Sequence, residues 1–382
     1  MKRTSRLNDK IFRAKWLVIL IAAVVLVFFG RVVDNKSLTQ SALVIGLGLE
    51  KTEEQFEVST LSVVVSGGSG GEVTRTYAVY TASGATVSEA LDTIAQKMGL
   101  LVSLSHCNVL VLSRSAFSND HAALFEPLIA TYSLPEQAVV TASDSPPEEV
   151  LSAKMGAADS AANFVQASLI QNLGGDGLAL VTVKDFLAAS LSRSASVTVP
   201  LIDIEEMPTP PEGESAGDGA QEFSMHRNLV VHGGECFVLG EELAQATTLL
   251  LQHKVRGKLS PVLPTGEAVE FRVLSAKTEY AVEGMSVRVK LKINLSFLEA
   301  QNVETPGKIT SSDEVVTKAA KEAAREIESR LRACHALSLE WNADFLRLQN
   351  EVYKKAGYTM PEDCLRSIDF SVEVEAEVRE QG

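Results

Sequence analysis

Cysteine is scarce: the 382 residues contain four, Cys107, Cys236, Cys334 and Cys364. Spaced so widely, they cannot form the dense disulfide framework that replaces a large core in small extracellular domains, and buried thiols are the default reading. Cys334 and Cys364 could pair if their Cα atoms lay close enough. Positive charge is also short, with 35 Lys+Arg against 49 Asp+Glu and a net charge of −14. That balance argues against an electrostatic nucleic-acid binder, because phosphate contacts need a basic face. The sequence has no His-Glu-x-x-His helix and no Walker loop, and its Gly-x-Ser-x-Gly matches, Gly67–Gly71 and Gly213–Gly217, lack the strand-to-helix pattern of a nucleophile elbow. A 46% hydrophobic, 22% charged composition excludes collagen-like and disordered chains, and the length suits two or three domains.

The charge is unevenly placed. Residues 1–15 carry Lys2, Arg3, Arg6, Lys10, Arg13 and Lys15 against Asp9, a net of +5, which leaves −19 on the remainder of a chain whose total is −14. Next comes an uncharged stretch from Trp16 to Gly30, continued past Arg31 by Val32 and Val33. As a helix, 16–33 would reach roughly 27 Å, close to the hydrocarbon thickness of a bilayer. Trp16, Leu20, Val24 and Phe28 are the expected anchor residues, with Lys15 and Arg31 snorkelling at its flanks. A cleaved signal peptide is the competing reading. Against it, no small-x-small cleavage site follows Gly30 and no cysteine there could be lipidated. The positive-inside rule then keeps 1–15 in the cytoplasm and puts the acidic body outside.

Strand patterning opens the ectodomain, with Ala42–Glu50, Phe56–Val65 and Val73–Thr81 in succession. The glycines between the last two connect strands, whereas a phosphate cradle would need a helix to follow. Residues 86–99 read as a helix capped by Ser88 and stopped by Gly99, and Leu104–Ser113 as a buried strand. Further helices are expected at 124–132, from Ser145, from about Asp159 and at 181–191, with a strand at 137–142. The Pro-, Gly- and acid-rich stretch 207–222 reads as a linker between an N-terminal α+β region, 34–206, and a C-terminal α+β domain, 223–382. Beyond it lie a hairpin around Gly233-Gly234, a helix at 241–253 and strands at 268–278 and 286–297. A long helix capped by Ser312, with an apolar stripe from Val316 to Cys334, a second helix through Phe345, Leu348 and Val352, and a strand at 367–378 complete the chain. Strands then helices, without a β-α-β rhythm, imply an α+β protein: a membrane-anchored, multi-domain ectodomain with mixed or antiparallel sheets flanked by helices.

Chemistry-bearing residues are few. His226, His232, Glu235 and Cys236 have zinc-ligand chemistry, but their spacing fits no knuckle or helix, so solvated turn residues are the plainer reading. His106 and Cys107 adjoin, and neighbours in a strand face opposite ways, which prevents a Cys/His nucleophile pair. Neither a catalytic residue nor a cofactor or metal site is expected. An anchored interaction module is favoured; the alternatives are an extracytoplasmic hydrolase or metal-dependent envelope enzyme, and a structural envelope adaptor.

The order of segments resembles the Ger(x)C family, the C subunits of spore germinant receptors. The similarity is carried by Leu43-Val-Ile-Gly-Leu-Gly-Leu-Glu50, Thr86–Leu91, Ser105-His-Cys-Asn-Val-Leu-Val-Leu112, Glu148–Lys154, Val230–Gly257 and Asn342-Ala-Asp-Phe-Leu-Arg-Leu348 onward. The chain departs from the family at two points: it lacks the lipid-bearing cysteine after the apolar run, and Asp344-Phe-Leu-Arg-Leu replaces the Asp-Ile-Phe-Gly-Phe-Gly core. A spanning helix would substitute for the lipid. The resemblance implies a non-enzymatic ectodomain of three α+β domains on the outer face of the spore inner membrane. Its implied partners are receptor A and B subunits and the membrane, and no nucleic acid.

Overall fold

The computed structural model describes residues 41–67, 73–117, 121–153, 160–171, 177–206, 221–252, 257–302, 312–357 and 364–379. The expected anchor at 16–33, with Trp16, Leu20, Val24 and Phe28, lies outside them. Among the described residues no helix is long and apolar enough to cross a membrane.

β1 (Ser41–Lys51) and β2 (Phe56–Gly67) form the expected hairpin, Leu49 opposite Val58, and β3 (Val73–Gly84) pairs with the outer side of β2. Helix α1 (Val87–Met98) starts differently from expectation. Thr86, not Ser88, is its N-cap: the Thr86 hydroxyl accepts the Glu89 N–H at 3.1 Å, and the Glu89 carboxylate returns to the Ala85 N–H at 2.8 Å. Gly99, at φ +66°, closes the helix as expected. The stretch 104–113 is not one strand. β4 (Leu101–Ser103) and β5 (Val109–Ser113) are separated by a turn in which the Cys107 N–H reaches back to the Leu104 carbonyl at 2.8 Å.

α2 (His121–Ala130), β6 (Val139–Ser143), α3 (Pro147–Ser152), α4 (Ala161–Gln171) and α5 (Val183–Ser190) follow. Then come β7 (Ser196–Glu206), absent from the sequence reading, β8 (Gln221–His232) and β9 (Glu235–Leu239). These strands form a nine-stranded sheet in the order β3-β2-β1-β5-β6-β7-β8-β9, with β4 also on β1. It is the expected mixed sheet flanked by helices, with β1, β5, β6 and β7 parallel at its centre, although the β-α-β crossovers this requires were not expected. Helices cross over between them, so the apolar run Val109-Leu-Val-Leu-Ser113 is buried on both faces. Leu91, Ile94, Leu128 and Phe186 of α1, α2 and α5 cover one face, against Leu47 and Leu112. Val150, Leu151 and Val165 of α3 and α4 cover the other, against Ile45 and Val111. The close approach of α3 explains Gly46-Leu-Gly48: a Cβ at Gly48 would stand 2.7 Å from Pro147 Cβ, and one at Gly46 2.9 Å from Leu151 Cδ2.

After α6 (Glu241–Leu251) a second sheet is built from β10 (Gly257–Leu259), β11 (Glu267–Glu283) and β12 (Ser286–Asn302), antiparallel in turn. The chain then forms α7 (Asp313–Glu340) and α8 (Leu348–Ala356), and returns as β13 (Asp369–Val378), parallel to β12. The alternation Val287, Val289, Leu291, Ile293 buries one face of β12 against Ala323, Ile327 and Leu331 of α7, as the sequence pattern requires. Each such side chain contributes about 1.5–3 kcal/mol of burial.

The expected division at 207–222 falls inside the first sheet. Its flanks are β7 and β8, which pair antiparallel from Ser196↔His232 to Glu206↔Gln221. Pro-, Gly- and acid-rich composition marks an exposed connection, and a hairpin loop has the same composition as a linker. The change of sheet comes after Leu239. The resemblance implied three domains; the strands group into two sheets, and Leu43–Gly382 forms a single compact unit. β8 is buried on both sides: Leu229 and Val231 belong to the first core, and Val230, with Leu239 of β9, to the second, alongside Leu250 of α6.

Candidate functional site

The seam between the two sheets holds a cluster of buried polar groups, Asp344 among them. Between α7 and α8 the backbone turns through two left-handed residues, Asn342 (φ +51°) and Arg347 (φ +60°), which folds Phe345 and Leu346 into the interior. Asp344 lies between them, fully buried. Its Oδ1 accepts the Leu348 N–H at 2.9 Å, and its Oδ2 accepts the Gln349 N–H at 2.7 Å and the Ser194 hydroxyl at 2.5 Å. Two otherwise orphaned amides at the start of α8 are thereby satisfied. Burial raises the Asp344 carboxyl above its ordinary value, opposed by these three donors and by His232. Asn350 completes the joint, accepting the Ser194 N–H at 3.0 Å and donating to the Ser192 hydroxyl at 3.2 Å. The loop after α5 is thus clamped to α8.

His232 sits beside this joint, with Nδ1 2.9 Å from Ser196 Oγ and 3.2 Å from the Ala195 carbonyl. The residue types are those of a Ser–His–Asp hydrolase, but the three are not chained as a triad: the Ser196 hydroxyl has the Ser194 carbonyl as an acceptor at 2.9 Å beside its contact with His232. Asp344 bonds Ser194, not the imidazole.

The zinc reading disperses in the same way. His226 and His232 are six residues apart along β8, about 20 Å. Glu235 faces His232 across the turn, whereas Cys236 opposes Val231 and points to the other side. Among the described residues no group of three or more His, Cys, Asp or Glu could hold a metal. His106 is exposed in the turn before Cys107, and the Cys107 thiol is buried and pushed up to about 12. All four cysteines are free. The Cys334 Sγ lies 3.5 Å from Thr247 Oγ1, and Cys364 packs on Gln349, so the two expected to be able to pair have different neighbours.

Next to the Asp344 joint the seam opens into a cavity of about 470 Å³. The first sheet's layer contributes Val181, Asp185, Ala188 and Thr198 to its wall; Leu251 of α6, Arg347 just before α8 and Asn350 of α8 also line it. Sequence reasoning passed over this region. Asp344, four residues before Leu348, carried a usable signal as a helix-capping acid. Ser194 and Asn350 carried none, since partners 150 or more residues away give them their roles.

The family model described as the spore germination protein N-terminal domain matches residues 34–204, and the one described as spore germination B3/GerAC like, C-terminal, matches residues 238–382. The chain belongs to the Ger(x)C family of spore germinant receptor C subunits. Its role is accordingly that of a receptor C subunit in spore germination. A solved structure described as the crystal structure of the GerBC protein is similar to this Ger(x)C chain, with a TM-score of 0.50 and 11% identity over 88% of this chain and 97% of that one. At that identity the likeness concerns the fold. No protein of curated function matches the sequence. The two family models meet the structure at its hinge of connectivity: the first ends within β7, and the second begins at Val238 of β9, just before the Ger(x)C chain crosses to its second sheet.

Proposed function

We propose that this Ger(x)C chain acts without catalysis, as a contact-making subunit held on the outer face of the spore inner membrane by residues 16–33, with A- and B-type receptor subunits as its partners. The observation that carries the reading is the match of both family models, in order, to one continuous two-sheet body. The fate of the polar groups supports it. The buried Asp344 is spent on tying the loop after α5 to α8, and the Ser196–His232 pair on two neighbouring strands of the first sheet, which suits a rigid body that transmits contacts. The +5 charge of residues 1–15 ahead of an apolar stretch supports the anchor and its orientation.

The test is isolation of dormant-spore inner membranes and affinity capture of the tagged chain. Co-purification with A- and B-type subunits, resistant to alkaline extraction, is the expected result. Recovery of the chain only from vegetative cells, or its release by alkali, would refute the reading.

A further inference from the structure

Nearly all the polar groups on the wall of the seam cavity are satisfied internally. The Thr248 hydroxyl donates to the Gly177 carbonyl, that of Ser192 to the Ala189 carbonyl, and both ends of the Asn350 amide are engaged. Asp185 accepts the Thr182 N–H and hydroxyl on Oδ2, in a capping box at the start of α5. Two groups remain. Arg347 has no ion pair or side-chain hydrogen bond to any described residue. Thr198, 8% exposed, has a buried hydroxyl oxygen with no hydrogen-bond partner. Both line the same cavity.

Arg347 is also held at φ +60°, a conformation that costs a residue with a side chain and is found where the surrounding structure imposes it. Its guanidinium offers a planar fork of donors matched to a carboxylate. The wall is mixed, with Val181, Ala188 and Leu251 as apolar surface and the Asp185 carboxylate, held in its capping box, also on it, and 470 Å³ is the size of a small-molecule site. We propose that this cavity binds a small organic carboxylate, its charged end forked by Arg347 and its apolar body against Leu251 and Val181. Such a ligand would touch both sheets at once and tighten the seam, a site independent of which subunits the chain contacts.

The test uses the purified full chain in detergent, titrated calorimetrically with isobutyrate, with the neutral isostere isobutyramide and the cation isobutylamine as comparisons. Isobutyrate should bind saturably and the other two at least about tenfold more weakly. Arg347→Gly removes the guanidinium while easing the left-handed backbone, so it should fold and lose binding about tenfold or more. Ala188→Phe keeps the charge but fills the space at an exposed rim position, and should lose binding equally. Circular dichroism and the unfolding midpoint establish that each variant is folded. Absence of saturable isobutyrate binding, equal affinity for isobutyramide, or undiminished binding in folded Arg347→Gly overturns the proposal.

Discussion

Ser194 donates a 2.5 Å hydrogen bond to Asp344 across 150 residues of sequence, joining the loop after α5 to the start of α8. Removing the acid strands three donors in a buried place. Asp344→Ala should cost about 3 kcal/mol in chemical unfolding of the full chain, and Asp344→Asn less, because one amide oxygen still accepts.

The same carboxyl sets a pH dependence of unusual sign. Its folded-state value is raised above 3.8, so the native chain binds this proton more tightly than the unfolded one. The contribution to stability is greatest below 3.8, falls as pH rises through the folded-state value, and is level beyond it. Subtracting the Asp344→Asn unfolding midpoints from those of the unsubstituted chain, between about pH 4 and about pH 7, should show that decline. A difference that grows with pH would contradict it.

Helix α1 separates two readings of one segment. Thr86→Ala should destabilise by about 1 kcal/mol through loss of the bond to Glu89 N–H, and Ser88→Ala by less than about 0.5 kcal/mol. Thr182→Ala, at the reciprocal cap of α5, should resemble Thr86→Ala. Thermal unfolding of the three variants side by side gives the order.

Gly48→Ala adds one methyl where Pro147 is 2.7 Å away, which forces α3 off β1. A loss of about 1–3 kcal/mol is expected. Gly233→Ala, with open space around its missing Cβ but φ +57°, should lose less, through backbone strain alone.

Thiol labelling should distinguish the cysteines. Cys107 is buried and pushed up to about 12, Cys334 is buried at about 11, and Cys364 is buried. Cys236, also at about 11 but half-buried, is the one expected to react in the folded chain, slowly, with an aromatic disulfide reagent at mild alkaline pH. The other three should appear after denaturation. Rapid native labelling of Cys107 would contradict the packing described.

Legibility followed the range of the interactions. β12 could be read from Val287, Val289, Leu291 and Ile293, and α7 from its stripe, because burial of one face repeats locally with the period of the element. The turn at Ser105-His106 was missed because it interrupts an apolar run for only a few residues. β7 was missed beside the break at 207, although Val197, Val199 and Leu201 alternate on one face. The parallel pairing of β1, β5, β6 and β7 depends on which distant edges meet, and no local pattern records that. The seam was invisible for the same reason: Ser194 and Asn350 are ordinary loop and helix residues until they face each other.

β8 and β9 form a wall with a core on either side, Leu229 and Val231 facing one and Val230 and Leu239 the other. Neither half can melt without baring the back of a strand pair that the other half needs, so heat or denaturant should take both sheets down in one cooperative step, not two. Mechanically, β8 and β9 are the shared wall through which a push on one sheet reaches the other.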